Sequence, residues 1–140
     1  MTNAEVSNKW RETFNVGDWD GWKECCSDDV VMEDMAAGIK GDPLDFFYGY
    51  AQGWKTAFPD MTGELTNRIE AGNILVEEIT WFGTNTGEIH TSDGGTIPPT
   101  GKEIAQKTCL ILEIENGKVK SIKNYLDMMS FMGQLGLLPS

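Results

Sequence analysis

Apolar residues recur at helical spacing in the first half of the chain and in alternation in the second. Val6, Trp10, Thr13 and Phe14 follow the helical period, which predicts an amphipathic helix over residues 4–16, closed by Gly17. A short helix is predicted from Trp19 to Cys26, with Asp18 as its N-cap and Trp19, Trp22 and Cys26 on one face. VVMEDM, residues 30–35, is predicted as a strand leaving the polar turn Ser27-Asp28-Asp29. A third helix starts with Asp42 as cap and Pro43 in the first helical position, presents Phe47, Ala51, Trp54 and Phe58, and stops at Pro59. Beyond it the period changes to two, and strands are predicted over 63–70, 73–83, 103–115 and 118–126. Ile104, Gln106, Thr108, Leu110, Leu112 and Ile114 share one face of the third of these. Asn116-Gly117 is a type I′ hairpin signal. The Gly-, Thr- and Pro-rich stretch 84–102 is predicted as a long hairpin connection, and residues 127–136 as a short closing helix ending in Gly136.

Helices first and meandering strands later define an α+β domain with helices packed on one face of a curved sheet. Such a sheet leaves an apolar hollow suited to a small ligand. The 140 residues fit one domain spanning 1–140, and five Trp and six Phe supply bulky wall material.

Charge narrows the list of partners. Eleven basic residues face 22 acidic ones, for a net charge of −11, and the basic residues are scattered. Neither nucleic acid nor an anionic membrane is expected as a partner. Cys25, Cys26 and Cys109 make a poor disulfide framework, and residues 1–10 carry no apolar run of the secretory kind. No stretch approaches the ~20 apolar residues of a membrane span, and the cytoplasm is the expected location. One His and an adjacent Cys pair do not make a metal site. No dinucleotide fingerprint or P-loop is present, so no cofactor is expected. His90, in the long connection, serves no Ser–His–Asp arrangement, and Cys109 has no evident activating base.

Several segments, in order along nearly the whole chain, resemble SnoaL-like polyketide cyclases of the nuclear transport factor 2-like fold. They are Gly17-Asp18-Trp19 with Trp22, Ala57-Phe58-Pro59-Asp60, Gly83-Thr84-Asn85-Thr86-Gly87, Ile97-Pro98-Pro99-Thr100-Gly101-Lys102, Asn116-Gly117-Lys118 and Gln134-Leu135-Gly136. The resemblance implies a cone-like roll, with about three N-terminal helices in the concave face of a strongly curved, mostly antiparallel sheet. It also implies a homodimer. Family enzymes close rings by intramolecular aldol chemistry, or isomerise or hydrolyse small hydrophobic substrates, typically with a buried acid–base residue and no metal.

Asp127, after Asn124-Tyr125-Leu126, resembles the place where family cyclases keep their acid–base aspartate. In an apolar pocket such a carboxyl abstracts a proton beside a carbonyl; otherwise it simply caps the closing helix. Asp34 stands where the related ketosteroid isomerases place their general base, and strand alternation lets only one of Glu33 and Asp34 point inward. Asn124 is a candidate to hydrogen-bond an enolate. Gln106 and Thr108 are polar positions on an otherwise apolar strand face, suited to a ligand's oxygen atoms or to solvent. Trp10, Phe14, Trp54, Phe58 and Trp81 are candidates for the pocket wall or for plain core packing.

Two positions depart from the family pattern. The first helix offers Trp10 and Phe14 where the isomerases carry a tyrosine that donates to the oxyanion. The strand after the Pro-Pro-Thr-Gly loop carries Gln106, Thr108 and Cys109 where cyclases often have a histidine. The expected function is a cofactor-independent cyclase or isomerase of a small hydrophobic carbonyl compound. The rivals are a non-catalytic small-molecule-binding module on the same fold and a dimeric interaction domain, to which Met128, Met129 and Met132 would add apolar contact.

Overall fold

In the computed structural model, which describes residues 1–138, four helices pack against a large curled sheet. The expected 1–140 span ends on residues 139 and 140, outside the described residues. Helix α1 (Asn3–Val16) begins with a capping box, in which the Thr2 hydroxyl accepts from the Glu5 N–H and the Glu5 carboxylate accepts from the Thr2 N–H. Gly17 ends it in the left-handed conformation, φ 73°. Helix α2 (Trp19–Glu24) has the expected Asp18 cap but stops two residues short of Cys26, which opens strand β1 (Cys26–Asp34). Ser27-Asp28-Asp29, expected as a turn, therefore lies within the strand, where pairing is irregular between Cys26 and Val31.

A short strand, β2 (Ile39–Gly41), was not anticipated; it pairs antiparallel to β1. Helix α3 (Leu44–Ala57) has Pro43 at its N-cap, one position before that expected, and no side chain caps it. Asp42 is thus not the cap; instead the Pro43 carbonyl accepts from the N–H groups of Phe46 and Phe47. Strands β3 (Thr62–Ala71) and β4 (Ile74–Thr84) form a hairpin. The connection after β4 contains a two-stranded ribbon, β5 (Ile89–His90) with β6 (Thr96–Ile97). Fully buried Asn85 fastens this connection: its side chain donates to the Ala57 and Gly87 carbonyls and accepts from the N–H and hydroxyl of Thr100.

Strands β7 (Glu103–Glu115) and β8 (Lys118–Leu126) turn at Asn116-Gly117, both with positive φ, as the hairpin signal requires. Helix α4 (Met128–Gln134) closes the structure, and Gly136 follows at φ 71°.

The six-stranded sheet runs β2-β1-β8-β7-β4-β3, antiparallel except for β1 beside β8. Side-chain alternation sets its buried face: Val30, Met32 and Asp34 on β1; Leu75, Glu77 and Ile79 on β4; Ile104 to Ile114 on β7; Val119 and Ile122 on β8. Helices α1 and α3 lay Val6, Trp10, Phe14, Phe47 and Ala51 against it. Among the described residues, no helix is long and apolar enough to cross a membrane.

Candidate functional site

Between the helices and the curled sheet lies a cavity of about 70 Å³. Its wall is almost wholly apolar and aromatic. Trp10 and Phe14 of α1, Trp54 of α3 and Trp81 of β4 all line it. Phe58 does not: at the C-terminal end of α3 it is fully buried behind the wall, stacked on Trp54 at 6.1 Å between ring centroids. It is core packing.

The polar groups in this wall differ in how far they are already engaged. The Thr108 hydroxyl donates to the Ile79 carbonyl at 2.9 Å and accepts from the Trp81 indole N–H at 3.1 Å. The Gln106 side chain accepts from Gln134 Nε2 of α4 at 2.9 Å and donates to the Lys107 carbonyl at 3.1 Å. Both residues line the cavity, but their hydrogen bonds are turned to the protein and hold α4 and β4 in place.

The less engaged group is built on β1, α3 and β8. Register places Asp34 opposite Asn124 across the parallel pair. Asp34 is 2 % exposed and is not itself part of the cavity wall; half-buried Glu33 is. The Asp34 carboxylate accepts from the Ala36 and Ala37 N–H groups, each at 3.0 Å, and from the Tyr50 hydroxyl at 2.6 Å. Tyr50 and Asn124 do line the cavity, and Asn124 Nδ2 donates to the Tyr50 oxygen at 3.2 Å. Burial, then the adjacent Asp34 charge and the hydrogen bond to it, push the Tyr50 phenol well above its ordinary range, so it is held protonated. Asn124 Oδ1 is buried with no hydrogen-bond partner.

Asp127, the first candidate from sequence, is elsewhere. It is exposed, caps α4 by accepting from the Ser130 N–H at 3.2 Å, and takes no part in the cavity wall. The strand ends at Leu126, whose side chain takes the inward place, and the chain then turns outward into the helix. His90 is exposed on β5.

Tyr50 was not singled out from sequence. The signal was present: it lies three residues after Phe47 and four before Trp54, on the same helical face. A second buried constellation was also missed. Glu77 on β4 is fully buried; it accepts from the Ser7 hydroxyl of α1 at 2.8 Å and from Arg68 Nε of β3 at 2.6 Å, and Arg68 also reaches Asn8 at 2.6 Å. It does not border the cavity. Among the described residues no group of three or more His, Cys, Asp or Glu is placed to hold a metal ion.

A helical cover over a curled sheet, with an aromatic cavity and a tyrosine–carboxylate pair at its wall, defines a cone-shaped α+β protein with an internal site. The chain belongs to the SnoaL-like polyketide cyclase family, whose model matches residues 4–135. Its fold is shared by AclR from Streptomyces galilaeus, at 22% identity and a TM-score of 0.81 over 99% of this chain and 83% of that one. IdmH from Streptomyces antibioticus is similar at 22% identity and a TM-score of 0.80, over 97% and 99% of the two chains. A protein of ketosteroid isomerase-like fold from Catenulispora acidiphila DSM 44928, solved with trimethylamine, is similar at 16% identity and a TM-score of 0.80, over 98% and 96%. No curated protein matches the chain.

Proposed function

We propose that the chain is a cofactor-independent enzyme of the cyclase or isomerase type, acting on a small hydrophobic carbonyl compound by acid–base catalysis, with the Tyr50–Asp34 pair moving the proton. One observation carries this reading: in a mostly apolar cavity wall, the Tyr50 hydroxyl is hydrogen-bonded at 2.6 Å to a buried carboxylate.

The hydroxyl proton is committed to Asp34, which leaves a lone pair on the Tyr50 oxygen for a proton from the substrate. The C–H bond beside the substrate carbonyl breaks. Its proton passes to the Tyr50 oxygen, the Tyr50 proton passes to Asp34 Oδ2, and the C–H electron pair becomes an enolate. Returning the proton to another carbon isomerises the substrate. Attack of the enolate carbon on a second carbonyl forms a carbon–carbon bond, and the proton returns through Tyr50 to the new alkoxide. A carboxylate is a weak base, so a carbon flanked by two carbonyls suits this relay best. The apolar wall keeps water from the enolate. Asn124 Oδ1 is available to accept from a substrate hydroxyl or enol.

The test is deuterium uptake by 2-tetralone in D₂O, followed by proton NMR, with wild type and Tyr50→Phe compared at equal folded concentration. Wild type is expected to exchange the protons beside the carbonyl faster than buffer, and the variant to lose about 100-fold or more of that rate. Equal rates in the two would remove Tyr50 from the mechanism. A ligand bound but never exchanged would favour the binding-module reading.

A homodimer fits the outer face of the sheet, where Phe82 and Tyr125 are exposed and Val76, Cys109 and Ile111 are half-buried. Sedimentation at micromolar concentration is expected to give twice the chain mass; a monomer would rule this out.

A further inference from the structure

The relay above generates negative charge on the substrate's carbonyl oxygen, and Tyr50 and Asn124 do not stabilise it. The Tyr50 proton goes to Asp34, and Asn124 Nδ2 is spent on Tyr50. A donor is needed from another part of the wall. The first helix, where the related isomerases carry a tyrosine, carries Trp10.

Among the described residues, three buried side-chain polar atoms have no hydrogen-bond partner: Trp10 Nε1, Trp22 Nε1 and Asn124 Oδ1. All three residues line the cavity. Trp10 is 5% exposed and Trp22 not at all. Both pack on one ring, Phe47, from different helices, with centroids 6.2 Å and 4.8 Å from it. The contrast with Trp81 is informative, because its N–H in the same wall is satisfied by Thr108. A buried donor left unpaired has given up its hydrogen bond to water with nothing in return. Two of them beside an aromatic cavity are readily explained if a ligand oxygen completes them.

We propose that the indole N–H groups of Trp10 and Trp22 form the carbonyl-binding end of the cavity, donating to the ligand's carbonyl oxygen and to the enolate it becomes. In this arrangement Trp10 takes the place of the missing first-helix tyrosine. An indole N–H donates without releasing its proton, so the pair stabilises an oxyanion and leaves proton transfer to Tyr50 and Asp34. The ligand is then a flat apolar ketone, with its oxygen at the indole end and its acidic carbon at the Tyr50 end. The inference rests on the reading of the cavity as a ligand site.

The test compares two probes of one shape, 2-acetylnaphthalene and 2-isopropenylnaphthalene, which differ in having an oxygen or a methylene. The five indole N–H signals of ¹⁵N-labelled protein are assigned with Trp19→Phe, Trp54→Phe and Trp81→Phe, which leave the two remaining signals to Trp10 and Trp22. The ketone is expected to move those two signals downfield and to bind about tenfold more tightly than the hydrocarbon. Trp10→Phe, which keeps an aromatic ring and removes the donor, is expected to bring the ratio of ketone to hydrocarbon affinity well below tenfold. Wild-type NMR carries the test even where Trp10→Phe fails to fold. Equal affinity for the two probes, or ketone binding that moves neither signal, overturns the indole assignment while leaving the relay standing. Failure of both probes to bind at millimolar concentration overturns the cavity as a ligand site, and the relay with it.

Discussion

Among the described residues two side-chain carboxylates are buried, Asp34 and Glu77, and they sit in one row across the sheet. Asp34 is opposite Asn124, Asn124 opposite Leu110, and Leu110 opposite Glu77. Burial does not distinguish them, since one is 2% exposed and the other 0%. Their partners do. Glu77 is neutralised by the Arg68 guanidinium at 2.6 Å and is held by Ser7, so that α1 is tied to the β3–β4 hairpin away from the cavity wall. Asp34 has only neutral donors, and one of them, Tyr50, stands in the cavity wall. A buried carboxylate marks a site of chemistry when a proton can travel from it to a place where a ligand fits. When its charge is cancelled locally, it is a fastening.

The comparison is broken most strongly from the fastening side. Arg68→Ala leaves the Glu77 carboxylate buried without its cation, and urea unfolding is expected to show a loss of about 3–5 kcal/mol. Deuterium exchange into 2-tetralone per folded molecule should be unchanged; a small stability loss would mean that water or Ser7 suffices for Glu77. From the other side, Tyr50→Phe should lose about 100-fold in exchange, equivalent to about 2.7 kcal/mol of barrier. Asp127→Ala separates a cap from a catalyst. Loss of the α4 cap should cost about 1 kcal/mol in thermal or urea unfolding, with exchange retained. A 100-fold loss of exchange would return Asp127 to the site.

The smallest expected effect is in alkaline stability. The Tyr50 phenol titrates higher in the folded protein than in the unfolded chain. Above the ordinary phenol value of about 10 the unfolded chain releases this proton while the folded protein keeps it. The stabilisation is therefore complete below about pH 10 and falls as pH rises from there toward the folded value. Tyr50→Phe should show a shallower loss of stability above about pH 10; parallel curves would mean that the phenol is not held protonated.

Much of this arrangement was legible in the sequence, and the misses share one physical cause. Helical and alternating periods identify elements and their buried faces, and they placed α1, α3, β7 and β8 and most of the cavity wall. They do not show which polar groups on a buried face meet one another. Asp34 and Asn124 become neighbours only through the parallel β1–β8 pair, which joins the two ends of the chain. Arg68 and Glu77 face each other through the register of the β3–β4 hairpin, and Glu77 falls between inward Leu75 and Ile79 by simple alternation. That pair was therefore open to a reading of hairpin register. Of the two readings of Asp127 the structure shows the cap, because a residue at the end of an inward-facing strand is also the first residue of the turn that leaves it. Its capping of α4, visible as an aspartate three residues before Ser130, outweighs its closeness to the cavity.

The most direct measurement places Asp34→Asn and Glu77→Gln side by side, with circular dichroism confirming the fold and deuterium uptake by 2-tetralone as the readout. Each substitution keeps the shape of its side chain and removes a negative charge from the same sheet row. Asp34→Asn is expected to lose about 100-fold or more in exchange rate, and Glu77→Gln to exchange as wild type while unfolding at lower urea. Two folded variants with equal exchange rates, or a greater loss of exchange in Glu77→Gln, would contradict the assignment of proton transfer to Asp34 through Tyr50.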